Sequence, residues 1–320
     1  MATDNIHIRE RATPAQLLDG AIVANEIKQQ VTADIEQLVR ENDVRPCLAA
    51  VRVGDDPASA VYVRNKIRAC EEVGMRSEYH ALPESTKSAE LLGLIGSLNS
   101  RGDVDGVLVQ LPLPQQIDEA AIIEAVDPLK DVDGFHPLNV GYLAMGRPVL
   151  VPCTPAGIIE LLEFHHIQIR GANASVVGRS QIVGRPMAQL LLQRDATVTV
   201  CHSRTRNLAA VTREADILIV AIGRAGLIGR DHIKPGATVI DVGMNRITDA
   251  SEVETMFGVA AEKRLEALAK RGYTLVGDVN PMGADEVAGR RTPVPGGVGL
   301  LTVAMLMRNT VKATRLRRGI

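Results

Sequence analysis

Tyr62 and Lys66 lie four residues apart in the segment Tyr62-Val-Arg-Asn-Lys66. This spacing places the phenol and the ammonium on one face of a helix. A lysine held in a dry cleft has its charged form disfavoured and can exchange protons near neutral pH. A neighbouring tyrosine can orient a ring. The pair therefore indicates proton-transfer chemistry, although a single spacing of this kind also arises by chance.

Gln110 and Asp133 are two further polar residues that could bind a ligand. The segment Val109-Gln-Leu-Pro112 ends a predicted strand, and the Gln110 amide can donate and accept at once at the strand end where parallel α/β sheets bind ligands. The alternative is a residue that is only solvated. Asp133 lies in Asp131-Val-Asp-Gly134, which lacks a glutamate or histidine at ligand spacing, so we expect a hydrogen-bonding carboxylate and no metal.

A glycine turn in the second half could bind phosphate. The segment Gly178-Arg-Ser-Gln-Ile-Val-Gly184 follows an apolar strand and opens a helix, where free N–H groups and the helix dipole favour an anion. Five residues separate the two glycines, which is longer than the usual dinucleotide turn, so a plain strand-to-helix turn stays open. Short-chain dehydrogenases pair Tyr and Lys downstream of such a turn, and the reversed order here argues against that family.

The end of the next strand bears on the identity of the cofactor. NAD-binding folds usually place Asp or Glu there to accept from the ribose 2′-hydroxyl. This chain instead has His202-Ser-Arg-Thr-Arg206, whose hydroxyls and guanidiniums suit a dianionic 2′-phosphate. The pattern predicts NADP rather than NAD, against the alternative that the arginines belong to a surface turn.

The segment Thr292-Pro-Val-Pro-Gly-Gly-Val-Gly299 has two prolines in its first half, which restrict the backbone, and three glycines in its second half, which have no side chain. Glycines allow a ligand ring to approach the backbone closely. The alternative is a tight entry into the last helix.

The elements that must position these residues alternate between helix and strand, which is typical of a parallel α/β fold. In the first half the pattern predicts two βαβ crossovers, with helices over 14–40, 57–73 and 86–100 and strands over 47–53, 77–82 and 106–111. Asp56-Pro57 reads as the N-cap and first residue of the second helix.

The segment 127–155 is rich in Pro, Gly and Asp and is predicted to connect two domains. Beyond it the alternation restarts, with a helix over 154–164 and strands over 174–177, 197–201, 217–221 and 238–242, typical of a doubly wound domain. Residues 250–272 predict one amphipathic helix. A last helix is expected over 299–315, with Arg315, Arg317 and Arg318 as a solvated tail.

Composition excludes several functional classes. The formal charge is −2 and only 2% of the residues are aromatic, whereas a nucleic-acid-binding protein usually carries a basic face and stacking rings. No apolar stretch reaches the roughly 18 residues of a membrane span, and residues 1–13 lack the apolar core of a signal peptide. The four scattered cysteines suit a reducing compartment, so we expect a cytoplasmic protein.

Taken together, the motifs resemble those of the bifunctional methylenetetrahydrofolate dehydrogenase and methenyltetrahydrofolate cyclohydrolase family, over roughly residues 17–312. Several long motifs in one order are far more specific than any single one. The segments that carry the resemblance are Leu18-Asp-Gly20, Tyr62-Val-Arg-Asn-Lys66, Val109-Gln-Leu-Pro-Leu-Pro114, Lys130-Asp-Val-Asp-Gly-Phe135, Pro152-Cys-Thr-Pro155, Val177-Gly-Arg-Ser-Gln-Ile-Val-Gly184, Asp241-Val-Gly-Met-Asn-Arg246 and Thr292-Pro-Val-Pro-Gly-Gly-Val-Gly299.

The resemblance implies two α/β domains across a cleft. Residues 1–150 would form the catalytic folate-binding domain, completed by the C-terminal helix 298–320, and residues 151–297 a Rossmann-like NADP-binding domain. The family's activity would be NADP-dependent oxidation of 5,10-methylenetetrahydrofolate to the methenyl form and hydrolysis of that product to 10-formyltetrahydrofolate. A homodimer is expected, with no nucleic-acid or membrane partner.

By the same resemblance Lys66 is central to the hydrolytic proton transfers, Tyr62 stacks on the folate and positions Lys66, and Gln110 hydrogen-bonds near the reacting centre. Asp133 would recognise the pterin edge. The remaining folate-site and NADP-site residues would be Val109, Leu111, Pro295, Gly296, Gly297 and Gly299 for folate, and Gly178, Arg179, Ser180, Ser203, Arg204 and Met244 for NADP.

Two segments depart from the family pattern. Leu300-Leu301 stand where Pro-Met usually follows Gly299, and residues 248–272 resemble an insertion before Gly277-Asp-Val279.

Two other functions also stay open from the sequence. One is an NADP-dependent dehydrogenase of another small substrate, which leaves Tyr62 and Lys66 unexplained. The other is a catalytically silent NADP-binding regulator.

Overall fold

A computed structural model of the chain describes residues 14–320, apart from the side chain of Ala58. The expected lack of an export signal concerns residues 1–13, which lie outside this range. The first half of the described chain alternates strand and helix as predicted, in the order β1 (Gln16–Leu17), α1 (Gly20–Asn42), β2 (Cys47–Val53), α2 (Pro57–Glu72), β3 (Arg76–Leu82), α3 (Ser88–Ser100), β4 (Gly106–Val109), α4 (Glu119–Ala125) and α5 (Pro137–Ala144).

A three-stranded parallel sheet forms the core of this half. Strand β2 is central, with β3 and β4 paired to its two edges. All of its residues except Arg52 are buried, as expected for a strand covered on both faces. The two predicted βαβ crossovers are confirmed, and the carboxyl ends of β2 and β4 lie side by side.

The second half begins within the segment predicted to be a connection, because α5 lies inside it and α6 starts at its end. The remaining elements follow in the order α6 (Cys153–Phe164), β5 (Asn173–Val177), α7 (Gly184–Leu192), β6 (Thr197–Cys201), α8 (Leu208–Thr212), β7 (Ile217–Val220), β8 (Thr238–Asp241), β9 (Asn245–Ile247), α9 (Ala250–Phe257), α10 (Glu262–Arg271), β10 (Thr274–Val276), α11 (Pro281–Val287), β11 (Arg290–Arg291) and α12 (Val298–Arg318).

A six-stranded sheet organises this half, in the order β1-β11-β8-β7-β5-β6 with every pair parallel. Strand β6 lies on one side of β5, and β7, the next strand along the chain, lies on the other side of β5. The carboxyl ends of β5 and β7 are therefore a topological switch point, where open α/β sheets bind ligands.

The helix predicted over 14–40 is wrong at its start. Residues Gln16–Leu17 form a strand instead, because they pair with β11 at the far edge of the six-stranded sheet, and the Leu18 N–H donates to the Arg291 carbonyl at 2.8 Å. Helix α1 begins only at Gly20, where the Asp19 carboxylate caps it by accepting from the Ala21 N–H at 2.8 Å. Long-range strand pairing overrides the local helical pattern here.

The single helix predicted over 250–272 is also wrong. Helix α9 ends at Phe257 and α10 starts at Glu262, with a short 3-10 turn over Gly258–Ala260 between them. The break falls at Gly258, whose φ of 50° does not continue a right-handed helix. The two helices pack their apolar faces around a small separate core of Ile247, Val253, Met256, Ala261 and Val276.

The C-terminal helix α12 returns to the first half of the chain. It packs against α1, α2 and α6, and its buried apolar residues belong to one cluster with side chains from both halves. Leu301 is fully buried and faces Gly157 of α6, where a Cβ would lie only 2.7 Å from the Cβ of Leu301. The unusual Leu300-Leu301 pair is thus accommodated by a glycine on the facing helix.

The solvated arginine tail predicted at the end of α12 is wrong. Arg317 and Arg318 both form ion pairs with Asp105, at 3.0 Å each, and the Asp105 side chain is fully buried. Asp105 also accepts from the Cys47 N–H at 3.1 Å, at the start of β2, and Arg315 pairs with Asp34 of α1 at 2.9 Å. The arginines therefore fasten the end of α12 to the first half.

Within residues 14–320, no helix combines the length and the apolar character that crossing a bilayer requires.

We expect Asp105→Asn to lower the free energy of unfolding by about 3 kcal/mol, because it removes the charge that compensates two guanidiniums at a buried site. Urea denaturation followed by circular dichroism measures this change. Asp103→Asn is the matched control, since its carboxylate is half-exposed and exposed pairs contribute less than about 1 kcal/mol. Equal effects of the two variants would contradict the anchoring role.

Candidate active site

Helix α2 presents the predicted Tyr62 and Lys66 on one face. The helix starts at Pro57 after Asp56, whose Oδ2 accepts from the Ser59 N–H at 2.7 Å, so the predicted cap is confirmed. Tyr62 is 43% exposed and Lys66 is half-buried. The face of α2 that carries these two side chains therefore borders a cleft and is not part of the buried core.

Lys66 contacts a residue from the neighbouring strand end. Its Nζ donates to Gln110 Oε1 at 3.1 Å, and Gln110 Nε2 donates to the Leu111 carbonyl at 2.7 Å. The second hydrogen bond fixes which end of the amide faces Lys66, because the amide nitrogen is already used. Val109 and Leu111 flank this amide, so the strand end and the helix form one polar group.

Asp133 lies beside this group. Burial raises the pKa of its carboxyl to about 6, and the nearby Lys66 charge partly opposes that rise. Within the described chain, no residue donates a hydrogen bond to this carboxylate. The Asp133 carboxylate therefore has lone pairs available at the cleft, where it can accept hydrogen bonds from a ligand.

Asn309 of α12 holds the backbone just before Asp133, and no sequence motif marks this residue. Its Nδ2 donates to the Val132 and Val151 carbonyls, both at 2.8 Å, and the residue is 5% exposed. The only available signal was an amide within an otherwise apolar helical stretch. Such a buried amide needs partners, which here are the backbone groups on either side of the connection between the halves.

Met244 brings the second half of the chain to the cleft. Its Sδ lies 2.6 Å from the Tyr62 hydroxyl, which donates to it, and its Cε lies 3.4 Å from where a Cβ of Gly299 would be. Met244 is 39% exposed. The outer part of the cleft is thus bounded by a tyrosine from one half and a methionine from the other.

The glycine-rich loop Pro295–Gly299 closes another side. The Gly20 N–H donates to the Gly296 carbonyl at 3.2 Å, and a Cβ on Gly20 would lie 2.0 Å from the Gly297 carbonyl oxygen. No other residue type fits this close approach. The predicted loop residues therefore lie directly against the start of α1.

Arg264 supports the same loop and was missed by the sequence reasoning. Its guanidinium donates to the Val294 carbonyl and, at 2.9 Å, to the Leu275 carbonyl, and it stacks 5.0 Å from the Phe257 ring centroid. Nothing in the sequence links this arginine of α10 to a loop thirty residues later. The contact appears only in three dimensions.

The glycine turn lies at the switch point of the six-stranded sheet. Gly178 has φ 129°, and a Cβ there would lie 2.2 Å from the Ala221 carbonyl oxygen after β7. A Cβ on Gly184 would lie 2.2 Å from the Gly178 carbonyl oxygen. Both glycines are therefore required by close backbone approach, and α7 starts at Gly184 as predicted.

Cations surround this turn without carboxylate partners. Ser180 Oγ accepts from the Val183 and Gly184 N–H groups, at 3.1 and 3.2 Å. Arg179, Ser203 and Arg204 are exposed. In residues 14–320, neither arginine pairs with an acid, which is the arrangement that an incoming phosphate requires.

The fold and the site together define a two-domain α/β protein, in which a sheet of the dinucleotide-binding type faces a polar cleft. Comparison with models of protein families gives the same class. The tetrahydrofolate dehydrogenase/cyclohydrolase catalytic domain matches residues 18–133, and the NAD(P)-binding domain of the same family matches residues 152–318. The chain belongs to the tetrahydrofolate dehydrogenase/cyclohydrolase family, which confirms the resemblance and the predicted fold class.

Similar proteins cover almost the whole chain. The bifunctional protein FolD of Koribacter versatilis is 58% identical over 95% of this chain and 98% of its own length. The FolD crystal structure from Campylobacter jejuni is 42% identical, with a TM-score of 0.85 over 95% of this chain and 99% of that one. The Trypanosoma brucei dehydrogenase-cyclohydrolase, complexed with NADP and an inhibitor, is 37% identical, with a TM-score of 0.86 over 96% and 99%.

We expect the Asp133 carboxyl to titrate near pH 6, above the ordinary aspartate value, because burial disfavours its charged form. Lys66→Met should raise this pKa further, since it removes the cation that favours the charge. Carbon-13 NMR of labelled aspartate, with Asp133→Asn to assign the resonance, measures both values. A fall of the pKa in Lys66→Met would contradict the proximity of the two groups.

Proposed function

We propose that this chain oxidises 5,10-methylenetetrahydrofolate with NADP and hydrolyses the methenyl product to 10-formyltetrahydrofolate. The observation that carries the proposal is the contact between Lys66 and Gln110 beside the unpaired Asp133 carboxylate, in a cleft that Met244 of the dinucleotide-type domain also borders. A cleft with these groups supplies a proton-exchanging amine, an oriented amide and an anionic acceptor. Bifunctional relatives cover 95% of the chain.

The residues at the switch point fit NADP. Gly178 and Gly184 leave room for backbone to approach a diphosphate, and the N-terminus of α7 favours its charge. Arg179 and Arg204, with the Ser203 hydroxyl, would hold the phosphates, including the 2′-phosphate that distinguishes NADP from NAD. When bound, the oxidised nicotinamide supplies the hydride acceptor.

For the oxidation, the chain has to position the substrate. Hydride leaves the methylene carbon as a nitrogen-stabilised cation forms, so orientation supplies most of the rate enhancement. Tyr62 would stack on the folate, and Asp133 would accept from the N–H donors at the pterin edge. The backbone of the Pro295–Gly299 loop would line the pocket of the ring, and Met244 would border its outer end.

For the hydrolysis, Lys66 handles protons at its Nζ. Water adds to the methenyl carbon and loses a proton, which leaves a hydroxyl on that carbon. The bond from the carbon to N5 then breaks as N5 gains a proton and the hydroxyl gives up its own, so a formyl group stays on N10 and one proton is released overall. Gln110 Oε1 accepts from Nζ and so holds the amine towards the reacting carbon. An amine within hydrogen-bond reach of the water and the leaving nitrogen can serve both transfers.

We expect Lys66→Ala to lower cyclohydrolase turnover by about 10²- to 10⁴-fold, the usual contribution of one general acid–base group, and to leave NADP affinity nearly unchanged. Absorbance of the methenyl form measures the hydrolysis, and fluorescence titration measures NADP binding. Lys270→Ala, at an exposed lysine near the end of α10, is the control.

Unchanged hydrolysis in Lys66→Ala would remove the role of the lysine. Turnover of the unmodified chain with each nicotinamide cofactor is measured alongside, because NADP binding without any turnover would instead favour a silent regulator. A clear preference for NAD would overturn the assignment of the cofactor.

We propose that residues 1–150 and the helix over 298–320 form the folate-binding domain, with 151–297 as the NADP-binding domain. The packing of α12 on α1 and α2 supports the return of the C-terminus. Strand β1 is an exception, because it adds to the sheet of the second domain.

We further propose a homodimer in which strand β6 contributes to the interface. This strand lies at an edge of the six-stranded sheet and exposes Val200 by 41%, and unpaired edges favour pairing with another chain. Val200→Lys is expected to shift the mass measured by sedimentation equilibrium towards the monomer. Val259→Lys, at a fully exposed site on the turn between α9 and α10, should not; a dimer unaffected by Val200→Lys would exclude β6 from the interface.

We also propose that the enzyme works in the cytoplasm. All four cysteines are buried and unpaired, which suits a reducing compartment. Folate monoglutamates and NADP are both small soluble ligands, so neither substrate requires a membrane surface.

A further inference from the structure

Arg246 is a charged side chain that the proposed mechanism does not use. It lies on β9, two residues after Met244, and it is exposed. Its guanidinium carbon stacks 4.6 Å from the centroid of the Tyr273 ring. Within residues 14–320 it forms no ion pair with any carboxylate. Stacking thus holds the guanidinium in place while its hydrogen-bond donors stay free.

The position of Arg246 relative to the cleft is set by Tyr62. The Tyr62 hydroxyl touches Met244, and Arg246 follows Met244 by two residues, in the middle of β9. The guanidinium is therefore close to the phenol, and its charge partly opposes the rise that burial causes in the pKa of Tyr62. Because Tyr62 is 43% exposed whereas Asp133 is more enclosed, Arg246 lies towards the mouth of the cleft.

The chemistry of a folate fixes which end reaches that mouth. The pterin carries the donors that suit Asp133, the reacting carbon lies next to it, and the benzoyl group leads away to a glutamate with two carboxylates. With the pterin end in the enclosed part near Asp133 and Lys66, the benzoyl group extends outward alongside Tyr62 and Met244. The glutamate then emerges where Arg246 stands.

We propose that Arg246 binds a carboxylate of the glutamyl group of the substrate, as a specificity residue presented by the NADP-binding half of the chain. This inference rests on the proposed function. A guanidinium fork held by an aromatic ring matches a carboxylate better than a lysine does, because it donates two parallel hydrogen bonds. The contact lies far from the reacting carbon, so it acts on binding of the substrate rather than on turnover.

The test compares two substrates with four proteins, which are the unmodified chain, Arg246→Gln and two control variants. One substrate is 5,10-methylenetetrahydrofolate as the monoglutamate, and the other carries a primary amide in place of the whole glutamyl group. We expect Arg246→Gln to raise the KM for the monoglutamate about tenfold, the usual effect of losing one charged hydrogen-bonding partner, with kcat and the KM for NADP unchanged. The KM for the amide substrate should not change.

Two controls complete the design. Arg246→Lys keeps the charge but loses the fork, so it should recover only part of the affinity for the monoglutamate. Arg213→Gln removes an exposed arginine after α8 that also lacks an ion pair, and it should behave as the unmodified chain with both substrates. The difference between the two substrates should also shrink at high salt, because the contact is exposed.

An equal change of KM for both substrates in Arg246→Gln would overturn the proposal, since it would mean that the stack on Tyr273 only supports the local structure. An unchanged KM for the monoglutamate would overturn it as well. Failure of the proposed function has a different signature, because the unmodified chain would then turn over neither substrate.

Discussion

The structure depends on the burial of α12 against α1, α2 and α6. This packing joins apolar side chains from both halves in one cluster, so the two sides of the cleft share one core. Two polar contacts fix the register of the helix: Asn309 on the carbonyls of Val132 and Val151, and Asp105 between Arg317 and Arg318. Buried polar groups tolerate few alternative pairings, so these contacts fix the position of α12 along its own axis. They therefore also fix the position of its first residues, which follow the glycine-rich loop.

The electrostatics of the cleft follow from that placement. Asp133 is held one residue after the carbonyl that Asn309 fixes. Burial disfavours its charged form and raises its pKa, and the nearby Lys66 charge opposes that rise only in part. Lys66 in turn is directed by Gln110, whose amide is oriented by the Leu111 carbonyl. Each charged group is therefore positioned by a neutral amide, whose own orientation depends on the backbone. Such preorganisation costs little at the moment of reaction, because the dipoles are already in place.

Sequence reasoning predicted the residues with local signatures. Strands β2 and β6 were predicted to the residue, and the glycines at 178 and 184 were placed at a strand-to-helix turn, because apolar runs and breakers are local features. It failed where distant parts of the chain decide: Gln16–Leu17 became a strand by pairing with β11, and the terminal arginines were assigned to solvent although they bind Asp105. Asn309, Arg264 and Arg246 were missed as site residues for the same reason, since their partners lie elsewhere in the sequence.

The segment 248–272 contacts the glycine-rich loop from outside the cleft. Its helices pack around their own apolar core, and a cavity of about 300 Å³, lined in part by Phe257, Lys263 and Val294, separates them from the six-stranded sheet. Across that gap Arg264 reaches the Val294 carbonyl just before the glycine-rich loop. The segment also packs against α11 and the paired strands β9 and β10. The guanidinium restrains the loop, because a carbonyl that loses a half-buried charged donor loses more than a neutral hydrogen bond. The segment therefore acts on the position of the glycine-rich loop, which lies directly against the start of α1.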